Sequence, residues 1–220
     1  MLKFAFANGP EAHYHILCLG AHSDDIEIGC GGTLLRLAQE YRNLKVTWIV
    51  FSADAVRAKE ACASANAFLT NARQKTVIVK NFRDGYFPYI GAEIKDYFDQ
   101  LKREQIPDLI FTHYRADLHQ DHRCISDLTW NTFRNHLILE YEISKYDGDL
   151  GTPNIFVPQD AATRQVKIMH LLAHFKSQQD KHWFTADAFT ALMRLRGIEC
   201  GTSTGYAEAF HGRKLVLMEP

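Results

Sequence analysis

Apolar and polar positions along this chain fall into blocks of two different periods. His15–Gly20 is a short apolar run closed by glycine, and Lys45–Phe51 is a second one, rich in β-branched and aromatic residues. Runs of this length with polar flanks predict buried strands. Between them, Gly29–Tyr41 carries Leu34, Leu35, Leu37, Ala38 and Tyr41 at helical spacing. The unit then repeats. Asp54 stands as an N-cap before an Ala-rich amphipathic stretch reaching Leu69, and Thr76–Val79 predicts a third strand. Gly91–Glu104 places Ile94, Tyr97, Phe98 and Leu101 on one helical face, and Pro107 introduces a fourth strand, Asp108–Thr112. After a polar stretch a helix is predicted from Asp121 to Asn135. Strands follow at Glu140–Ser144, Asn154–Val157 and Tyr206–Phe210, with helices at Ala161–Phe175 and Ala186–Leu195. Alternation of this kind predicts an α/β fold: a doubly wound, mostly parallel, Rossmann-like sheet with helices on both faces and a C-terminal α+β extension.

Composition narrows the class without changing that picture. With 220 residues, 46% hydrophobic and 23% charged, the chain reads as one globular domain spanning 1–220, with no repeat or linker. A formal charge of −1 supplies no global field for nucleic acid or a lipid surface, so neither is expected as a partner. The five cysteines are widely spaced, with no C-x-x-C pair, which points to reduced thiols and excludes an all-cysteine zinc site. The opening apolar stretch breaks at Asn8-Gly9-Pro10, too early for a signal segment. No run approaches the ~18 apolar residues needed to span a bilayer, and a cytoplasmic location is expected.

Four of the 11 histidines, His22, His113, His119 and His122, fall where chemistry is expected. In an open α/β sheet, ligands bind beyond the carboxyl ends of the strands, where the strand order reverses. In the order 3-2-1-4-5 that point lies between strands one and four. The loop leaving strand one is Ala21-His22-Ser23-Asp24-Asp25, and the loop leaving strand four runs from His113 to His122. Imidazole and carboxylate suit a divalent ion such as zinc, which in hydrolytic sites takes three protein ligands and keeps one position for water. His22 and Asp25, spaced i and i+3, can supply two ligands, leaving Asp24 free as a base. Of His119 and His122, again i and i+3 at a helix mouth, one completes the shell and the other stands beside it.

AHSDD and HYRADLHQDH resemble the two motifs of the PIG-L/LmbE family of zinc-dependent N-acetylglucosaminyl deacetylases, A/P-H-P-D-D and His-x-x-x-Asp-x-His-x-Asp-His. The likeness continues at Gly31-Gly32-Thr33, Arg57-Ala-Lys-Glu60, Ser177-Gln178 and Tyr206-Ala-Glu208-Ala-Phe210. It implies His22, Asp25 and His122 as metal ligands, Asp24 as general base, and His119 as the imidazole that stabilises the oxyanion, oriented by Asp121. It also implies hydrolysis of an acetamido sugar or conjugate to acetate and free amine by metal-activated water. Zinc is the implied cofactor, and ferrous iron can take the same ligands. Ser23 departs from the family's proline, Gln120 from another usual residue, and the loop after Phe51 is shorter than the family's common form. A metal amidase acting on another small amide, or a metal-loaded sugar-binding module without catalysis, uses the same ligands; the presence of both Asp24 and His119 favours an enzyme.

Other signals carry less. Gly29-Cys30-Gly31-Gly32 lacks the G-x-G-x-x-G spacing of a dinucleotide turn and suits close packing of a helix start. His170 and His174 lack the glutamate of a zincin pair. Arg57 is a candidate for substrate binding, Arg115 reads as surface, and the aromatic stretch 82–89 reads equally as a sugar lip, a core element or a turn at Asp84-Gly85. The sequence leaves a homo-oligomer open.

Overall fold

The structure, a computed structural model, describes residues 9–216. Residues 1–8, which hold the apolar opening stretch, lie outside the described residues. Four β–α steps and a fifth strand build the first part of the chain: β1 (His13–Gly20), α1 (Asp25–Glu40), β2 (Asn43–Val50), α2 (Ala55–Phe68), β3 (Gln74–Val79), α3 (Gly91–Glu104), β4 (Leu109–His113), α4 (Gln120–Thr132) and β5 (Leu137–Tyr141). The remainder adds β6 (Ile155–Pro158), α5 (Ala161–His174), α6 (Ala186–Glu199) and β7 (Ala207–Gly212). The seven strands form one sheet in the order β3-β2-β1-β4-β5-β7-β6. Strands β1 to β5 pair in parallel, and β7 runs antiparallel to both its neighbours. The C-terminal segment therefore prolongs the same sheet.

Strand periodicity sorts the core into two layers. On β1, Ile16 and Cys18 face a layer closed by Leu34 of α1, Phe68 of α2 and Leu171 of α5, whereas Leu17 and Leu19 face one closed by Phe98 of α3 and Ile125 of α4. A strand covered on both faces has no solvated side, which is why β1 is a continuous apolar run in the sequence. Asp54 caps α2 as expected, accepting from the Val56 and Arg57 amides at 2.8 Å each.

Three boundaries differ from the sequence reading. Helix α1 begins at Asp25, four residues before Gly29, because its glycines serve packing within a helix. A Cβ at Gly29 would lie 2.2 Å from the Tyr141 ring, and one at Gly31 would lie 2.6 Å from Phe68. Strand β5 is Leu137–Tyr141 instead of Glu140–Ser144, since Leu137-Ile138-Leu139 pairs with Leu109-Ile110-Phe111 of β4. Helix α4 closes at Thr132, where the Phe133 amide caps the Thr129 carbonyl, and does not reach Asn135. Among the described residues no helix is long and apolar enough to cross a membrane, and all five cysteines are free thiols.

Candidate metal centre

The order reversal falls between β1 and β4, which pair through Ile16↔Leu109, Leu17↔Ile110 and Cys18↔Phe111. Their carboxyl ends therefore open side by side, and the two polar loops meet there. Ala21 N–H donates to His113 Nε2 at 2.9 Å, locking the end of β1 to the end of β4.

Three donor atoms converge at this junction. His22 Nδ1 lies 3.1 Å from His122 Nε2 and 3.4 Å from Asp25 Oδ2, and His122 Nε2 lies 3.6 Å from that same oxygen. Ligands placed tetrahedrally about 2.0–2.1 Å from an ion stand about 3.3–3.4 Å apart, so this spacing fits one divalent ion of the zinc type. The outer nitrogen of each ring is engaged by a carboxylate: His122 Nδ1 by Asp117 Oδ2 at 2.9 Å, and His22 Nε2 by Asp84 Oδ1 at 3.0 Å. A ring whose far N–H is held this way presents the lone pair of its near nitrogen inward. Two further triplets, His22–His119–Asp121 and His113–Asp117–His122, also group potential ligands. Their carboxylates are already occupied by protein donors, Asp117 as just described and Asp121 as described below.

Charge follows this geometry. Burial pushes the Asp25 carboxyl up, but the imidazoles of His122, His113 and His22 outweigh it and hold Asp25 well below the usual carboxylate range. Burial, then the neighbouring His113, pushes His122 down to about 3. Asp24, at the N-cap of α1, is raised by its own burial and by adjacent Asp25, against the opposing pull of Arg57. Asp84 is lowered to about 2, chiefly by its hydrogen bond from His22.

The other sequence candidates lie around this triplet. His119 is the N-cap of α4; its Nδ1 accepts the Asp121 amide at 3.2 Å, so the proton of the neutral ring sits on Nε2. Its ring packs on His22 and His122, with centroids at 4.8 and 4.5 Å. Asp121 meets His119 through its backbone N–H, while its fully buried carboxylate accepts from the Gly85 and Phe87 amides at 2.6 and 3.1 Å. The orienting role expected of that carboxylate toward His119 thus has no direct contact behind it; the carboxylate hangs the 84–87 loop over the site. Gly85, with φ +78°, makes the turn that aims its amide there. Arg57 places Nη2 3.3 Å from Asp24 Oδ1 and Nη1 3.7 Å from Asp84 Oδ2. Arg115 pairs with Asp127 at the surface, and His170 and His174 pack in α5, with their ring centroids 5.6 Å apart.

Four residues of this centre received no role from the sequence reading. His113, fully buried, lies 3.2 Å from Asp25 Oδ2 and stacks on His122 with centroids 4.0 Å apart. Asp117 holds His122; His113 and Asp117 stand inside the second motif without an assigned role. Asp84 was visible only as a turn, and Lys145, 3.0 Å from Asp117 Oδ1, belongs to no motif.

A doubly wound α/β sheet carrying a His/Asp triplet at its switch point defines a protein class whose strand ends could hold a divalent ion. Comparison with known proteins narrows this. Residues 17–133 match the PIG-L family, described as GlcNAc-PI de-N-acetylase, and the chain belongs to that family. It is 30% identical over 135 residues to the uncharacterized deacetylase YaiS of Escherichia coli (strain K12), covering 57% of this chain and 71% of that one. Among solved structures it resembles N,N'-diacetylchitobiose deacetylase from Pyrococcus horikoshii, with TM-score 0.66, 20% identity, and 94% and 84% of the two chains covered. It also resembles GalB, the 4-carboxy-2-hydroxymuconate hydratase of Pseudomonas putida KT2440, with TM-score 0.71, 15% identity, and 94% and 99% covered. Neighbours of such different activity show that this fold does not by itself fix the reaction.

Proposed function

We propose that the protein is a metal-dependent de-N-acetylase acting on an N-acetylglucosamine-type sugar or conjugate. The observation that carries this reading is the convergence of His22 Nδ1, Asp25 Oδ2 and His122 Nε2 at ion-sharing distances, with Asp24 and His119 flanking them. Family membership supports hydrolysis of an amide, and the likeness to a diacetylchitobiose deacetylase supports a sugar substrate.

His22, Asp25 and His122 would hold the ion, which supplies Lewis acidity and lowers the pKa of water toward neutrality. Asp24, raised by burial, takes a proton from the attacking water and can return it to the departing amine. Arg57, beside Asp24, limits how far that carboxyl rises and is the residue we assign to substrate binding. His119 keeps its proton on Nε2 because its Nδ1 is spent on the helix cap, which suits it to donate toward a developing oxyanion. Asp117 fixes the backbone of His119 as well, accepting its N–H at 2.8 Å. The balance is amide plus water to acetate plus amine.

The test is acetate release from a panel of free and nucleotide-linked acetamido sugars, with the protein loaded with zinc or ferrous iron. At least one substrate is expected to turn over, with chelation stopping the reaction and metal restoring it. Asp24→Asn should bind zinc as the wild type does and lose about 10²–10⁴-fold in turnover. Equal loss of metal would make Asp24 a ligand and overturn its role. No acetate from any member of the panel would turn the reading toward another amide or toward binding without catalysis.

A further inference from the structure

The support of His122 runs beyond the part of the chain that matches the family, which ends at residue 133. Lys145 lies in the turn after β5 with its side chain only 7% exposed. Its ammonium meets Asp117 Oδ1 at 3.0 Å, Asp147 at 3.6 Å, and Asp149. Asp117 is itself 2% exposed and grips two histidines: Oδ1 accepts the His119 amide at 2.8 Å and Oδ2 engages His122 Nδ1 at 2.9 Å. Asp149 Oδ2 accepts the Leu118 amide at 2.7 Å. One buried cation is thus shared by three carboxylates from two segments, and two of them, Asp117 and Asp149, hold the 117–122 loop.

We propose that Lys145 is a positioning residue for metal binding: it anchors Asp117, and through Asp117 it aims His122 Nε2 at the point shared with His22 and Asp25. The inference rests on the metal-dependent reading above. Two effects of Lys145 on a bound cation oppose each other. As a positive charge it repels the ion, but it sits behind Asp117 with three carboxylates around it, so that repulsion is largely compensated. As an anchor it prevents Asp117 and Asp149 from losing their shared counter-charge, and it keeps the His122 ring from losing its support. Loss of such an outer support typically lowers metal affinity about 10–100-fold. The two effects predict opposite signs for removal of Lys145.

The experiment measures zinc affinity of the full chain by competition with a chromophoric chelator. It compares wild type with Lys145→Met, Lys145→Arg, Asp117→Asn and the Lys145→Met/Asp117→Asn double variant. Lys145→Met is expected to weaken zinc binding about tenfold or more. Lys145→Arg should recover most of that loss, and the double variant should bind no more weakly than Asp117→Asn alone, because both changes cut one path. Unchanged or tighter binding in Lys145→Met, or additive losses in the double variant, overturns the inference. Thermal unfolding of the metal-free proteins checks that each is folded; should Lys145→Met fail, Lys145→Gln carries the same prediction with a smaller loss. A wild type that binds no zinc, or a His122→Ala variant that binds it equally well, removes the metal site itself. Intact wild-type binding with unaffected Lys145 variants removes only the role of Lys145.

Discussion

The two imidazoles of the centre are held in matching ways by very different surroundings. Each turns one nitrogen inward and gives the other to a carboxylate, at 3.0 Å for His22 and 2.9 Å for His122, with the buried Asp121 Oδ2 also 3.5 Å from the outer nitrogen of His22. The carboxylate behind His22, Asp84, is 59% exposed and hangs on a turn held by the Asp121 carboxylate. The one behind His122, Asp117, is 2% exposed, paired with Lys145, and bonded to the His119 backbone. Water competes for the first hydrogen bond and is kept from the second, so equal distances do not mean equal contributions. His122 is held by a buried carboxylate alone, whereas the nearest carboxylate behind His22 faces water.

This asymmetry orders the expected effects. His122→Ala removes a donor outright and should abolish zinc binding at micromolar metal in equilibrium dialysis; a fully loaded variant would break the ligand set. Asp117→Asn keeps the ring but loses a buried charged acceptor, and should weaken zinc about 10–100-fold. Asp84→Asn faces water that can replace the lost oxygen, and should cost well under tenfold. If the two asparagine variants lose the same affinity, burial does not separate the two imidazoles and the comparison fails.

Much of the fold was legible because strands buried on both faces leave apolar runs, and the switch point follows from their order. The triplet was legible because its members lie in two short loops, each directly after such a strand. The start of α1 was hidden by Gly29, Gly31 and Gly32, which weaken a helical reading, although Tyr141 and Phe68 require bare backbone at the first two. Asp84 reaches His22 only because Asp121, far along the chain, captures the Gly85 and Phe87 amides, and no local pattern records that capture. Lys145 was hidden for the same reason: its partners Asp117 and Asp149 flank it in space from two segments, and a lone lysine in a polar turn reads as surface. His113 and Asp117 were present in the motif as letters, but their geometry assigns them as supports.

The finest distinction between the two imidazoles is in pH. Metal displaces a proton from any ligand that holds one, so apparent affinity falls about tenfold per pH unit below that ligand's pKa. Burial opposes charge on His22, but Asp25, Asp121 and Asp84 outweigh it and raise His22 well above its ordinary value, so protons compete with metal there at neutral pH. His122, pushed down to about 3, is neutral between pH 5 and 8 and has no proton on its inward nitrogen to displace. Asp84→Asn removes one of the carboxylates that keep the His22 proton, so His22 should titrate lower and the rise of zinc affinity with pH should level off earlier. The small loss caused by Asp84→Asn should therefore shrink as pH falls from 8 to 6, whereas the loss caused by Asp117→Asn should stay constant across that range. Zinc titrations of both variants at pH 6, 7 and 8 read this directly, and parallel pH profiles for the two would show that Asp84 does not govern the proton on His22.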